Sequence, residues 1–346
     1  MAFKPILAPH LFKLESLIQQ AKLLGGRHQI LAEVSDGQQS WPVHALEMGS
    51  SDPGAPAIGF IGGVHGLERI GAEVVMEHLG ALVNQLPWDQ TLQRELEGVR
   101  LLFVPIVNPV GLNKGTRANA KGIDLMRNSP INALGPVTTL IGGHRISKRL
   151  PWYRGDLGAE PEPEIKALSK LIRERLLTQP FSMVLDCHSG YGGRDHLWFP
   201  YAFSKRPIDH LAEVVRLRQL FFSSYPYHRP IYKFSPQSRF YLTHGDLWDC
   251  MYLESLKSPA NLFLPFTLEM GSWVWLKKSP RNAFRLDGFF NPNKEHRHQR
   301  VLRRHLVFLQ FLQRATAHYK NWLPSAKDRQ ALAQKGLNKW FNGDKV

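Results

Sequence analysis

Cysteine is nearly absent from this sequence: Cys187 and Cys250 are the only two in 346 residues. Two cysteines cannot build the bridge network that staples small secreted scaffolds. The expectation is a chain held together by its core in a reducing compartment. Long apolar runs are missing as well. No stretch approaches the roughly 20 residues needed to cross a bilayer. Near the N-terminus, Lys13, Glu15, Gln19, Gln20 and Lys22 interrupt every apolar segment. Leu11, Leu14, Leu17, Ile18, Ala21 and Leu24 recur there at helical spacing, which predicts an amphipathic helix rather than a secretory signal. A soluble, cytoplasmic protein with no membrane partner is expected. There is no internal repeat and no low-complexity linker, which argues against solenoids and tethered domains. Acidic residues are outnumbered, 29 against 44 Lys and Arg, for a net charge of +15. That balance favours anionic partners: nucleic acid, acidic lipid or carboxylate-bearing substrates. The densest basic run, from His296 to His305, keeps Leu302, Leu306, Leu309 and Leu312 at helical spacing. No nucleic-acid motif accompanies it, so a solvated helix face is the reading taken.

The composition is 43% apolar and 11% aromatic, enough for one large core. Residues 29–34 and 41–48 read as a hairpin around Ser35-Asp36-Gly37. Buried strands are expected at 57–61, 100–107, 182–187 and 262–270, with a further one at 197–201. Helices are expected at 72–83, 162–177, 208–222 and 295–322. Residues 109–160 and 225–247 show little periodicity; loops that long in a compact domain are usually functional. Strands alternating with helices make the class α/β. The simplest organisation is an N-terminal helix and hairpin (1–50) packed on a catalytic domain (51–324), then a polar tail (325–346).

Three H-x-x-E tetrads occur: His44/Glu47, His65/Glu68 and His210/Glu213. The first lies in a strand-like run, where residues three apart face opposite ways. The third lies on a helix, where the spacing does align side chains, but an ordinary polar helix face explains it. The second follows a buried strand and a glycine pair, in AIGFIGGVHGLE. Ligands of α/β sheets bind where strands end. A His and a Glu on that turn can converge on one ion, and zinc accepts both donor types. A third ligand is available in His188, which closes the strand SMVLDCHSG and shares a face with Asp186. Glu269, in the otherwise apolar run LFLPFTLEM, needs a partner or a catalytic use.

Together these segments resemble the carboxypeptidase A-like zinc metallocarboxypeptidases, over about residues 57–272. HGLE at 65–68, TRANAKGIDLMRN at 116–128, LDCHSG at 185–190, YLTHGDLWDCMY at 241–252 and FTLEMGS at 266–272 occur in the family's order. The resemblance implies a mixed, mostly parallel eight-stranded sheet flanked by helices, of the phosphorylase/hydrolase-like kind. It implies one zinc ion held by His65, Glu68 and His188, with Asp124 accepting a hydrogen bond from His65. It implies Glu269 as general base and then acid, Arg117 at the scissile carbonyl, Arg127 on the substrate carboxylate, and Tyr241 closing over the substrate. Met126 departs from the pattern, standing where the family usually has an asparagine. The opening Gly-Gly-Val-His-Gly is equally similar to deacylases such as succinylglutamate desuccinylase and aspartoacylase, and to murein-peptide amidases.

The reading is therefore a zinc metallocarboxypeptidase or peptide amidase cleaving an amide near a free carboxylate by metal-activated water. An N-acyl-amino-acid deacylase is the alternative. A non-catalytic binder of anionic polymer is the second alternative. The expected partner is a small peptide or acyl-amino acid, not nucleic acid.

Overall fold

A computed structural model describes residues 7–273 and 286–342. The chain opens with helix α1 (Leu7–Leu23) and the hairpin β1 (Arg27–Ser35) and β2 (Ser40–Gly49). It continues through β3 (Ala57–Gly62), α2 (Arg69–Gln85), α3 (Gln90–Glu97), β4 (Arg100–Val104) and α4 (Pro109–Lys114). After a long loop come α5 (Pro163–Arg175), β5 (Phe181–Ser189), β6 (Asp195–Phe199), α6 (Leu211–Ser224) and β7 (Tyr232–Pro236). Then follow α7 (Leu247–Ser255), β8 (Leu262–Met270), α8 (Leu286–Phe290), α9 (Glu295–Ala317), α10 (Tyr319–Trp322) and α11 (Ala326–Trp340).

The strands form one eight-stranded sheet in the order β1-β2-β4-β3-β5-β8-β6-β7. The pairs β3–β4, β3–β5, β5–β8 and β6–β7 are parallel, and β1–β2, β2–β4 and β6–β8 are antiparallel. This is the mixed, mostly parallel sheet expected. The central strands are apolar runs because helices cover both their faces. Every residue of β3, β4 and β5 is buried. α2 and α9 pack on one face, and α5 and α7 approach from the other. The hairpin is the outer edge of this same sheet.

Several elements differ from the sequence expectation. β7 lies inside the stretch read as irregular, because a five-residue strand carries too few alternations to stand out. α7 was not expected, because it is buried on most sides and shows little amphipathic period. The helix expected over 295–322 stops at Ala317, and His318 leaves helical geometry at φ −109°, ψ 28°. The segment after Ser325 is polar in composition yet helical over Ala326–Trp340. Ser325 caps α11 by accepting from the Asp328 N–H, and Trp340 is buried at its end. Among the described residues no helix is long and apolar enough to cross a membrane.

Candidate metal centre and active site

The site is built at the C-terminal ends of β3, β5 and β8. β3 ends in Gly62-Gly63, where Gly63 takes φ +60°, a region that L side chains avoid. The turn that follows presses Gly66 onto α4; a Cβ there would sit 1.9 Å from the Gly111 carbonyl carbon. That close approach carries His65 and Glu68 over the sheet edge, toward His188 near the end of β5. The three side chains are 2–3% exposed, and their ligating atoms lie within 4.8 Å of one another.

The hydrogen bonds fix which atoms face inward. His65 Nε2 lies 3.0 Å from Asp124 Oδ1, and His188 Nε2 lies 2.8 Å from Asp186 Oδ2. Carboxylates accept, so both Nε2 atoms carry protons and both Nδ1 atoms present lone pairs. Those Nδ1 atoms are 3.1 Å apart, and each is within 3.0 Å of a Glu68 oxygen. Converging lone pairs and a carboxylate need a cation between them. Two imidazole nitrogens and one carboxylate oxygen, with a fourth side left open, is the donor set of a catalytic zinc site. The three groups also act on one another's protonation, and a metal ion would displace the proton shared between His188 and Glu68. Burial would raise Glu68, but His65 and His188 override it and hold the carboxyl well below the usual range. Burial would lower His188, but Asp186 and Glu68 hold it well above the ordinary imidazole value.

Around this group lie the other expected residues. Arg117 donates from Nε to Asp124 at 2.7 Å and from Nη1 to Glu68 at 3.2 Å. Burial works against its charge, but Asp124 and Glu68 raise its pKa. Glu269 pairs with His188 across the β5–β8 register, so the two share a row of the sheet. One Glu269 oxygen accepts the Tyr191 N–H at 3.0 Å. Burial, with the charge of Glu68, pushes its carboxyl up to about 8. Arg127 is 4% exposed, and among the described residues its guanidinium makes only long contacts of 3.4 Å, to the Ile141 and Met126 carbonyls. Burial pushes the Tyr241 phenol up to about 12. His65, Glu68, His188, Glu269, Arg117, Arg127, Tyr241 and Met126 all line one chamber of about 860 Å³. Asp124 lies fully buried behind it.

The other two tetrads have ordinary partners. His44 bonds His28 at 2.9 Å, and Glu47 pairs with Arg27 and Arg175. His210 bonds the Tyr252 hydroxyl, and Glu213 pairs with Arg329. The sequence reading gave no role to Asp186, although its i, i+2 spacing from His188 already put both on one face. It also passed over Trp248, whose Nε1 donates to Asp186 at 2.8 Å from 62 residues away. Nothing local announces that contact. Trp152, with φ 66° and its ring 5.8 Å from the Arg117 guanidinium, was equally silent.

The sequence pattern of the family described as Zinc carboxypeptidase matches residues 13–276. The chain belongs to the zinc carboxypeptidase family. Its curated relatives include carboxypeptidase SOL1 of Arabidopsis thaliana, 31% identical over 104 residues, covering 29% of this chain and 21% of the relative. Carboxypeptidase N catalytic chain of Rattus norvegicus is 26% identical over 162 residues, covering 43% of this chain and 33% of the relative. The chain thus spans a third or less of these relatives' lengths. Among solved structures, thrombin activatable fibrinolysis inhibitor superposes with a TM-score of 0.67 at 19% identity, covering 91% of this chain and 78% of that one. At that identity the likeness is one of fold. A zinc carboxypeptidase fold accounts for the three strand ends that meet at the chamber. It also accounts for the cluster of His65, Glu68 and His188, which could hold a metal ion.

Proposed function

We propose that this protein is a zinc-dependent metallocarboxypeptidase that releases the C-terminal residue of a small peptide. The observation that carries the reading is the converging trio of His65, Glu68 and His188. It sits in one chamber with a buried carboxylate, Glu269, and two arginines. When bound, zinc supplies a Lewis acid that polarises the scissile carbonyl and acidifies water. The residues do the rest. Asp124 and Asp186 hold the two imidazoles in the Nε2–H tautomer. Arg127, with donors to spare, clasps the substrate carboxylate in two-point geometry. Arg117 stands beside Glu68 and offers charge to the oxygen that becomes negative in the transition state. Glu269 takes a proton from water and returns it to the leaving amine, a cycle suited to a carboxyl whose affinity for protons is raised. Tyr241 forms part of the chamber wall over the substrate. Met126 removes one hydrogen-bond donor from the carboxylate clasp, which leaves Arg127 as its main anchor. In this reading residues 51–324 are the catalytic unit, the hairpin supplies its sheet edge, and the two free cysteines suit a cytoplasmic location.

The test uses metal content and turnover together. Purified protein should hold about one zinc per chain, the number a single three-ligand site takes. His188→Ala should lose it, while Glu269→Gln should keep it and lose at least about 10³-fold in kcat. Stoichiometric zinc in His188→Ala, or undiminished turnover in Glu269→Gln, would refute the assignment.

A further inference from the structure

Glu68 stands where helix α2 needs a cap. It precedes Arg69, the first helical residue, and its backbone is non-helical at φ −90°, ψ 56°. A capping side chain turns back to accept the N–H of the second or third helical residue. The Glu68 side chain makes no such bond. Both of its oxygens point the other way. Oε1 meets His65 and Arg117, and Oε2 meets His188 and the Ser189 N–H. One carboxylate cannot close the helix and face the cluster at once. The first turn of α2 is nevertheless buried: Ile70 is 0% exposed, and an N–H orphaned there is costly.

The missing bond comes from a distant segment. Asn291, just past α8 and 221 residues from Ile70, accepts the Ile70 N–H on Oδ1 at 3.0 Å. Ile70 is the second helical residue, a position that a cap serves. Asn291 Nδ2 donates to the Leu67 carbonyl at 2.8 Å. The buried carboxamide thus brackets Glu68, bonding the residue before it and the second residue after it. An amide suits this task because it carries an acceptor and a donor side by side. The same segment reaches the other strand end. The Ser189 hydroxyl, next to His188, donates to the Phe290 carbonyl at 2.7 Å. α2 packs against β5 as well. The turn that carries Glu68 is therefore held between β5 and Asn291.

We propose that Asn291 is a positioning residue for the metal centre: it caps α2 in place of Glu68 and so leaves the Glu68 carboxylate to the ion. The inference rests on the zinc reading above and needs nothing of the substrate. Without Asn291, the Ile70 N–H competes with the metal for the carboxylate at the cap position. A capping bond from Glu68 draws an oxygen away from His65 and His188. The ion then loses part of a ligand that has changed its position and not its identity.

The test is zinc affinity of the full chain, by competition with a chromogenic chelator. Asn291→Leu keeps the volume and removes both bonds; it should bind zinc roughly 10- to 100-fold more weakly. Should it fail to fold, Asn291→Ser is smaller and too short to span both bonds, and should still weaken binding several-fold. Asn291→Asp keeps an acceptor for the Ile70 N–H, and aspartate caps as well as asparagine, so it should recover most of the loss. Leu46→Ala, which truncates the core on β2, controls for lost stability alone and should keep wild-type affinity. Unchanged affinity in the folded Leu or Ser variant overturns the proposal. So does an equal loss in Asn291→Asp or in Leu46→Ala. A wild-type chain that takes up no zinc removes the metallocarboxypeptidase reading and this inference with it. Zinc that is bound and weakened as expected, without any peptide cleavage, keeps the role of Asn291 and removes only the carboxypeptidase reading.

Discussion

Two aspartates decide which nitrogen the two histidines of the cluster can offer a metal ion. A histidine bound through Nδ1 must keep its proton on Nε2, and Asp124 and Asp186 each accept there. Asp186 is in turn held by the Trp248 indole. Removing one charge from this arrangement should loosen the metal without removing a ligand. Asp186→Asn is expected to weaken zinc affinity by about 10- to 100-fold, read by competition with a chromogenic chelator; unchanged affinity would refute the role. His65, Glu68 and His188 were legible in the sequence because strand ends, glycines and metal-donor residue types coincide there. Asp124 was reached only through resemblance. Trp248 was not reached at all, since a contact 62 residues away leaves no periodic trace.

Strands deliver the chemistry, and helices hold the strands in place. Glu73 on α2 accepts from His10 of α1 at 2.8 Å and pairs with His298 of α9 at 2.7 Å. Burial would raise the Glu73 carboxyl, but the two histidines hold it well below its usual range. The bond to Glu73 raises His298 in turn. The raised histidine contributes fully below its unfolded value near 6.5, and the contribution fades as pH rises through its folded value. The depressed glutamate contributes above its unfolded value near 4.3. The clamp is therefore strongest between those limits. Glu73→Gln should cost about 1–2 kcal/mol at pH 6 and clearly less at pH 8.5, measured as denaturant midpoints at both; a constant difference would count against it. The basic run that contains His298 read as a solvated helix face. Its members in fact divide their work: His298 goes to Glu73, and Arg304 goes to Asp195, 3.0 Å away. Asp195 also accepts the Gly271 N–H just past the Glu269 strand. Charge counted along the sequence could not tell a free cation from a paired one.

The whole molecule closes through its last helix. α11 packs along α6, and Trp340 sets its ring 5.0 Å from Phe199 while donating from Nε1 to the Phe234 carbonyl. This anchors α11 beneath β6 and β7, the strands that bring Trp198 and Gln237 to the chamber. Trp340→Ala should destabilise by about 3 kcal/mol, visible as a lower denaturant midpoint with zinc stoichiometry unchanged. Loss of zinc from the folded variant would instead tie this anchor to the metal site.

The sequence by itself determined the α/β class, the sheet's buried centre and the three residues that cluster as a possible metal site, because each rests on a short-range pattern. Apolar runs make covered parallel strands, and glycine turns at strand ends expose polar residues. What only the tertiary structure decided depends on distant segments meeting. The hairpin became the sheet edge, α7 was buried on most sides, and two aspartates reached two imidazoles. Asn291 came to bond the Ile70 N–H from 221 residues away. Such meetings are set by how strands order themselves across the sheet, and a chain read residue by residue does not contain that order.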